Sequence, residues 1–154
     1  MRLMDMLFLP VWCVSPTQST KGPEGWGQVG RVMIEKIAQK VNGNEALLRS
    51  GRFVTLDFVV GIGETDYLVS VREGRIDEVK ERRLQTHSGV FAVRAARDTW
   101  SEHWQAMPRR GRHDLFSMVA DGAATFEGDL LPLMQNLQYF KDVLASLRVV
   151  QGES

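Results

Sequence analysis

The sequence has a single cysteine, Cys13, no excess of either charge and no long uninterrupted apolar run. One thiol forms no internal disulfide and does not by itself ligate zinc, so a disulfide scaffold and a cysteine metal centre are excluded. A lone thiol also suits a reducing compartment, and a cytoplasmic location is expected. Lys plus Arg and Asp plus Glu number 19 each. A protein that coats a nucleic-acid duplex needs a basic excess to release counterions, so no nucleic-acid partner is expected. No stretch approaches the ~20 apolar residues that span a bilayer, which argues against stable membrane insertion. The nearest candidate, Met6 to Val14, is interrupted by Pro10 and preceded by Asp5. Ser15-Pro16-Thr17 makes a poor cleavage site behind it, so the segment reads as an apolar arm and not as a secretory signal.

What remains is the composition of a globular domain. The chain has 154 residues, 44% of them apolar and 25% charged. A chain of this length buries roughly 70% of its unfolded surface, enough for a core of its own. Residues 15 to 27 (SPTQSTKGPEGWG) have the composition of a linker, so residues 1 to 27 are expected as arm plus linker and 28 to 150 as one domain. From Gln28, Val29, Val32, Met33, Ile37 and Val41 recur at steps of three and four, predicting an amphipathic helix that ends near Asn42-Gly43-Asn44. Ala46 to Leu48 add a short turn.

A strand region follows. Phe53 to Val60 runs into the turn-forming Gly61-Ile62-Gly63-Glu64, after which Tyr67, Val69 and Val71 alternate with polar neighbours. Glu73-Gly74 is a second turn. Ile76 to Arg82 reads as a strand whose charges alternate in sign, which suits a solvent-washed edge. Val90, Phe91, Val93 and Ala95 form a fourth strand, and the four together read as an antiparallel meander. Thr99-Trp100-Ser101-Glu102 fits a capping box, with Trp100, Trp104 and Met107 on one helical face. His113 to Ala120 predicts a short helix and Ala123 to Glu127 a fifth strand. Asp129 then caps one long terminal helix with Leu130, Leu133, Met134, Leu137, Phe140, Leu144 and Leu147 at helical spacing. This order is that of an α+β fold.

Signals of chemistry are weak by comparison. Gly61-Ile62-Gly63 lacks the third glycine and following helix of a dinucleotide loop, so a hairpin is the better reading. His113-Asp114, or His103 with Glu102, are the acid/base pairs on offer, but no third orienting group or metal-ligand spacing accompanies them. Asp114 is equally well explained as a helix-start residue. Neither a catalytic site, a metal nor a cofactor is therefore expected. The basic loop Arg109-Arg110-Gly111-Arg112 either receives an anionic head group or is a solvated loop. The sharper signal is apolar crowding: two tryptophans, Leu115, Phe116, Met118 and Val119 lie within one short region of a chain with seven methionines. Such a surplus either fills an ordinary core or lines a tunnel for an apolar ligand.

Three stretches carry a family resemblance. They are Asp66-Tyr67-Leu68-Val69-Ser70-Val71-Arg72-Glu73-Gly74, then Val90-Phe91-Ala92-Val93-Arg94-Ala95-Ala96-Arg97-Asp98-Thr99-Trp100, then Ala120-Asp121-Gly122-Ala123-Ala124-Thr125-Phe126-Glu127-Gly128-Asp129. In this order the chain resembles the sterol carrier protein 2 domain family over roughly residues 28 to 148, by element order and turn glycines. It departs from the family in lacking a lysine before the final Gly-Asp. The resemblance implies a five-stranded, mainly antiparallel sheet with helices packed on one face. Between them such domains enclose an apolar cavity for sterols, fatty acids or acyl chains. On that implication the lining is Phe91 and Trp100 as wall, Trp104 and Met107 as mouth, Phe116 and Val119 on the short helix, and Met134, Leu137 and Phe140 as lid. Arg109, Arg110 and Arg112 would hold a head group. The implied role is non-catalytic binding and transfer of an apolar ligand, each buried methylene contributing roughly 0.8 kcal/mol. The rival is an interaction module with a filled core that forms a homodimer through the arm or the terminal helix. An enzyme acting on a lipid-like substrate is the third reading.

Overall fold

The computed structural model describes residues 24–82, 86 and 89–148. The apolar arm, most of the linker and His87 lie outside them. The first helix, α1 (Glu24–Asn42), begins within the expected linker. It turns Gly30, Ile34, Ile37 and Val41 inward, so Ile37 and Val41 of the expected stripe are buried, but it leaves the expected Val29 and Val32 half exposed. The cause is Gly30, which lies against Tyr67: a Cβ there would stand 2.4 Å from the phenol oxygen. The stripe running through that glycine is the one that reaches the sheet, and Val29 and Val32 fall to its side. A short helix, α2 (Glu45–Ser50), is capped by the Asn44 side chain, which accepts from the backbone N–H of Ala46 and Leu47.

Five strands follow: β1 (Leu56–Ile62), β2 (Thr65–Arg72), β3 (Arg75–Glu81), β4 (Phe91–Ala95) and, after two helices, β5 (Ala124–Gly128). They form one sheet in the order β3-β2-β1-β4-β5. The expected five-stranded, mainly antiparallel α+β architecture is therefore present, but the meander is not: β4 pairs with β1, and in parallel. The reason lies in the side chains. A meander would bury β3 between β2 and β4, yet β3 carries charges on both faces and belongs at an edge. β4 is apolar at four of its positions and buried on both faces, so it takes the central place beside β1. The edge at β3 is partly closed by Asn42, whose amide donates to Ile76 O and accepts from Ile76 N, both at 2.9 Å.

Between β4 and β5 lie α3 (Arg97–His103) and α4 (Leu115–Ala120). The capping box expected at Thr99 is absent. Ala96 occupies the cap position without a side-chain bond, and Thr99 is buried inside the helix. The long terminal helix is also divided, into α5 (Leu131–Gln135) and α6 (Leu137–Leu144). Asp129 is not at the cap position, which Leu130 holds without a side-chain bond, but from one residue earlier it accepts from Leu131 N at 3.0 Å. The break falls at Asn136, whose side-chain amide donates to Pro132 O at 3.1 Å. A side chain that bonds the preceding turn competes with the helical ladder there.

The helices cover one face of the sheet. Phe58, Val60 and Ile62 of β1, Tyr67, Val69 and Val71 of β2, and Phe91, Val93 and Ala95 of β4 meet α1, α3 and α6 in a single apolar core. The opposite face is polar. Asp66 binds Arg94 (2.9 Å) and Arg82 (3.3 Å), Arg94 also binds Glu127, and Arg72 binds Asp57 at 2.9 Å. The hydrogen bonds from Arg94 hold the Asp66 carboxyl below its ordinary range, against the opposing effect of burial.

Candidate functional site

The layer between sheet and helices is built from aromatic rings. Phe91 stacks on Phe58 (5.3 Å between ring centroids), and Phe140 of α6 meets both edge-on at 5.1 and 5.4 Å. Stacked and edge-on contacts are the two arrangements that aromatic pairs prefer. Tyr139 extends the cluster to Phe140 (5.2 Å), and its hydroxyl donates to Gly74 O at 2.8 Å. Burial pushes that phenol up to about 12. Trp100 is fully buried, donates to Gly61 O (2.8 Å) and stacks on Trp104 (5.4 Å). Trp104 in turn donates to Leu144 O at 2.7 Å, tying the end of α3 to the end of α6.

The expected lining residues thus fall into two groups. Phe91 and Phe140 meet edge-on in this inner layer, and Trp100 and Trp104 stack on each other at the end of α3. Phe116 and Val119 sit half buried on α4, where Phe116 packs edge-on against Phe126 of β5 (5.5 Å), and Leu137 is half buried at the start of α6. Met107 and Met134 are 81% and 52% exposed. Met107 leaves the helical face expected for it because α3 ends at His103. Of the basic loop, Arg109 and Arg112 both bind Glu102, at 3.2 and 2.9 Å, and Arg112 reaches Asp121 at 3.5 Å. Arg110 is exposed and makes no ion pair among the described residues. The arginines that were expected to receive a head group are, in two cases of three, already occupied by carboxylates.

The acid/base pairs are not assembled. His113 is exposed, and Asp114 pairs with Lys141 at 2.8 Å. His103 is buried, but its Nδ1 lies 2.7 Å from Arg112 O while Glu102 serves the two arginines. Desolvation lowers the His103 pKa, so the ring is neutral near pH 7. No group of three His, Cys, Asp or Glu side chains among the described residues is placed to hold a metal ion. Two contributors went unread in the sequence: Phe58, hidden in an apolar strand run, and Tyr139, whose bond to a distant main-chain carbonyl has no local signature.

No protein-family model and no curated protein sequence matches the chain. Solved structures do. A crystal structure of sterol carrier protein 2 superposes with a TM-score of 0.60 at 16% identity, over 76% of this chain and 94% of that one. UbiJ-SCP2, a ubiquinone synthesis protein, gives 0.53 at 14% identity, over 79% and 96%. A sterol carrier protein domain of Helicoverpa armigera gives 0.53 at 11% identity, over 79% and 89%. The chain has the fold of the sterol carrier protein 2 domains.

Proposed function

We propose that the domain binds an apolar ligand (a fatty acid, an acyl chain or a sterol) between the sheet and the helices and passes it on unchanged. The observation that carries this reading is the layer between β1, β4 and α6, where Phe58, Phe91 and Phe140 meet beneath a terminal cover interrupted at Asn136. Loading then moves α6 with Phe140 outward, and the ligand replaces the aromatic contacts with its own. A chain buried there gains roughly 0.8 kcal/mol per methylene, which offsets the displaced packing. Two of the structures that share the fold are named sterol carriers, which supports the same ligand class. The non-catalytic reading is supported by the engagement of Asp114 with Lys141 and the exposure of His113. Its setting is proposed to be cytoplasmic. Among the described residues no helix is long and apolar enough to cross a membrane.

The test is native mass spectrometry of the purified protein, then extraction and identification of any released lipid. Stoichiometric acyl or sterol mass is the expected result. A ligand-free protein that takes up neither added palmitate nor added hexadecanol overturns the proposal.

Two observations favour a second reading. The same rings fill the layer, and the apolar Leu131 and Met134 of α5 face outward. An interaction module with a filled core, dimerising through the arm or the terminal helices, accounts for both. Sedimentation separates the two: this reading expects a dimer that dissociates when residues 1 to 14 are deleted or when the exposed Leu131 and Met134 are made polar.

A further inference from the structure

His103 closes α3 and is 2% exposed. Its Nδ1 lies 2.7 Å from the carbonyl oxygen of Arg112. A carbonyl oxygen only accepts, so Nδ1 carries the hydrogen and Nε2 keeps a lone pair. Nε2, on the other edge of the ring, is buried and has no hydrogen-bond partner among the described residues. Native proteins satisfy the large majority of such atoms, and one left open marks a site that something else completes.

The surroundings say what that is. The imidazole packs edge-on against Trp100 (5.9 Å), which stacks on Trp104, so the ring that bears the open nitrogen is part of the aromatic cluster at the end of α3. Every charged group near it is engaged elsewhere. Arg112 binds Glu102 and Asp121, and Lys141 binds Asp114. The Arg148 guanidinium donates to the main-chain oxygens of His103 (3.1 Å) and His113 (3.0 Å), and its Nη2 stands 3.4 Å from His103 Nδ1, on the ring edge already turned to Arg112 O and away from Nε2. What is left over is one neutral acceptor in an apolar wall. A carboxylate offers it no hydrogen and meets it acceptor to acceptor. An alkane leaves it unpaired, whereas a hydroxyl completes it.

Building on the carrier reading above, we propose that Nε2 of His103 accepts a hydrogen bond from the hydroxyl head of the ligand. The domain then selects long-chain alcohols, sterols or phenols over fatty acids. A site made to bond a hydroxyl discriminates against ligands without one more sharply than an apolar wall discriminates chain length.

The test titrates the full chain at neutral pH with hexadecanol, palmitate and hexadecane, each delivered from cyclodextrin. Hexadecanol is expected to bind about tenfold more tightly than the other two. His103→Phe keeps the affinity for hexadecane and lowers that for hexadecanol to the same level. Should that variant fail to fold, the imidazole 15N spectrum of the wild-type protein gives a second reading: the Nε2 resonance moves with hexadecanol and not with hexadecane. Equal binding of all three probes, an alcohol preference that survives His103→Phe, or an Nε2 resonance unmoved by bound hexadecanol each overturns the role of His103 and leaves the carrier reading standing. Binding of none of the three overturns both.

Discussion

The two faces of the sheet are made from alternate residues of the same strands, yet they are held by different forces. On β1, Phe58, Val60 and Ile62 face the helices, while Asp57, Val59 and Gly61 face away. The inner face is a buried aromatic and aliphatic layer. The outer face is a lattice of ion pairs, from Arg72–Asp57 to Arg94–Glu127, in partial contact with water. Burial stabilises in proportion to apolar area, whereas exposed ion pairs are screened and contribute about 0–1 kcal/mol each. The inner face therefore carries the fold. Any ligand has to compete there with the protein's own packing.

The contrast is sharpest at Phe140, whose ring touches Phe58, Phe91 and Tyr139. Phe140→Ala is expected to lose about 3–5 kcal/mol, read as a lower midpoint in urea at unchanged slope. If the layer opens for ligand, added hexadecanol or palmitate restores part of that loss by filling the vacated space. A loss that no ligand restores places the protein with the filled-core rival. Gly51→Ala is next. The added methyl would stand 2.3 Å from the Tyr139 ring, which is fixed by its bond to Gly74 O. Overpacking of this kind costs about 1–3 kcal/mol, and a thermal midpoint unchanged by the substitution would mean that α6 moves freely over α2.

The inner face was the more legible of the two in the sequence. Alternation in Tyr67, Val69 and Val71, and in Phe91, Val93 and Ala95, marks both the strands and their buried side. Sign-alternating charge from Arg75 to Glu81 marks an edge strand. That same observation excludes a meander, because a strand with charge on both faces does not lie in the middle of a sheet. Order across the sheet was less accessible, since it depends on which strands are apolar on both sides. Ala92 and Val59, buried on the outer face, supply that information only together. The docking of α6 and the place of His103 rest on bonds between residues far apart in sequence. No local pattern encodes Tyr139 to Gly74, Trp104 to Leu144 or Arg148 to His103.

His103 belongs to the inner face but titrates. Its folded pKa lies below the ordinary 6.5, chiefly through desolvation, so below pH 6.5 the unfolded chain binds more protons than the folded one. The neutral ring's full contribution is present above pH 6.5. It declines as pH falls from there toward the folded pKa, by at most about 1.4 kcal/mol per pH unit for one proton. Urea midpoints measured from pH 7.5 down to 5 are expected to fall in the wild type and less steeply in His103→Phe. Parallel profiles would mean that the ring gains a partner in solution and is not confined to a dry wall.

The outer face makes the smallest prediction and the cleanest contrast. Asp66 is held below its ordinary value of 3.8, first by the Arg94 hydrogen bond, and its side chain is 23% exposed. A depressed carboxyl stabilises the fold above pH 3.8 and loses that contribution as pH falls further, through the folded pKa. Asp66→Asn should therefore cost about 1 kcal/mol or less at neutral pH, shrink further in high salt and remove a decline confined to strongly acid solution. The Phe140→Ala loss, by comparison, should not depend on salt screening of charge. A salt-insensitive loss above about 3 kcal/mol at Asp66 would contradict the division of labour between the faces, because leaving Arg94 and Arg82 as uncompensated charges costs that much only where water does not reach. The arrangement of these side chains predicts otherwise. Glu127 remains beside Arg94, both arginines keep some access to solvent, and the lattice can lose one member without opening the layer beneath.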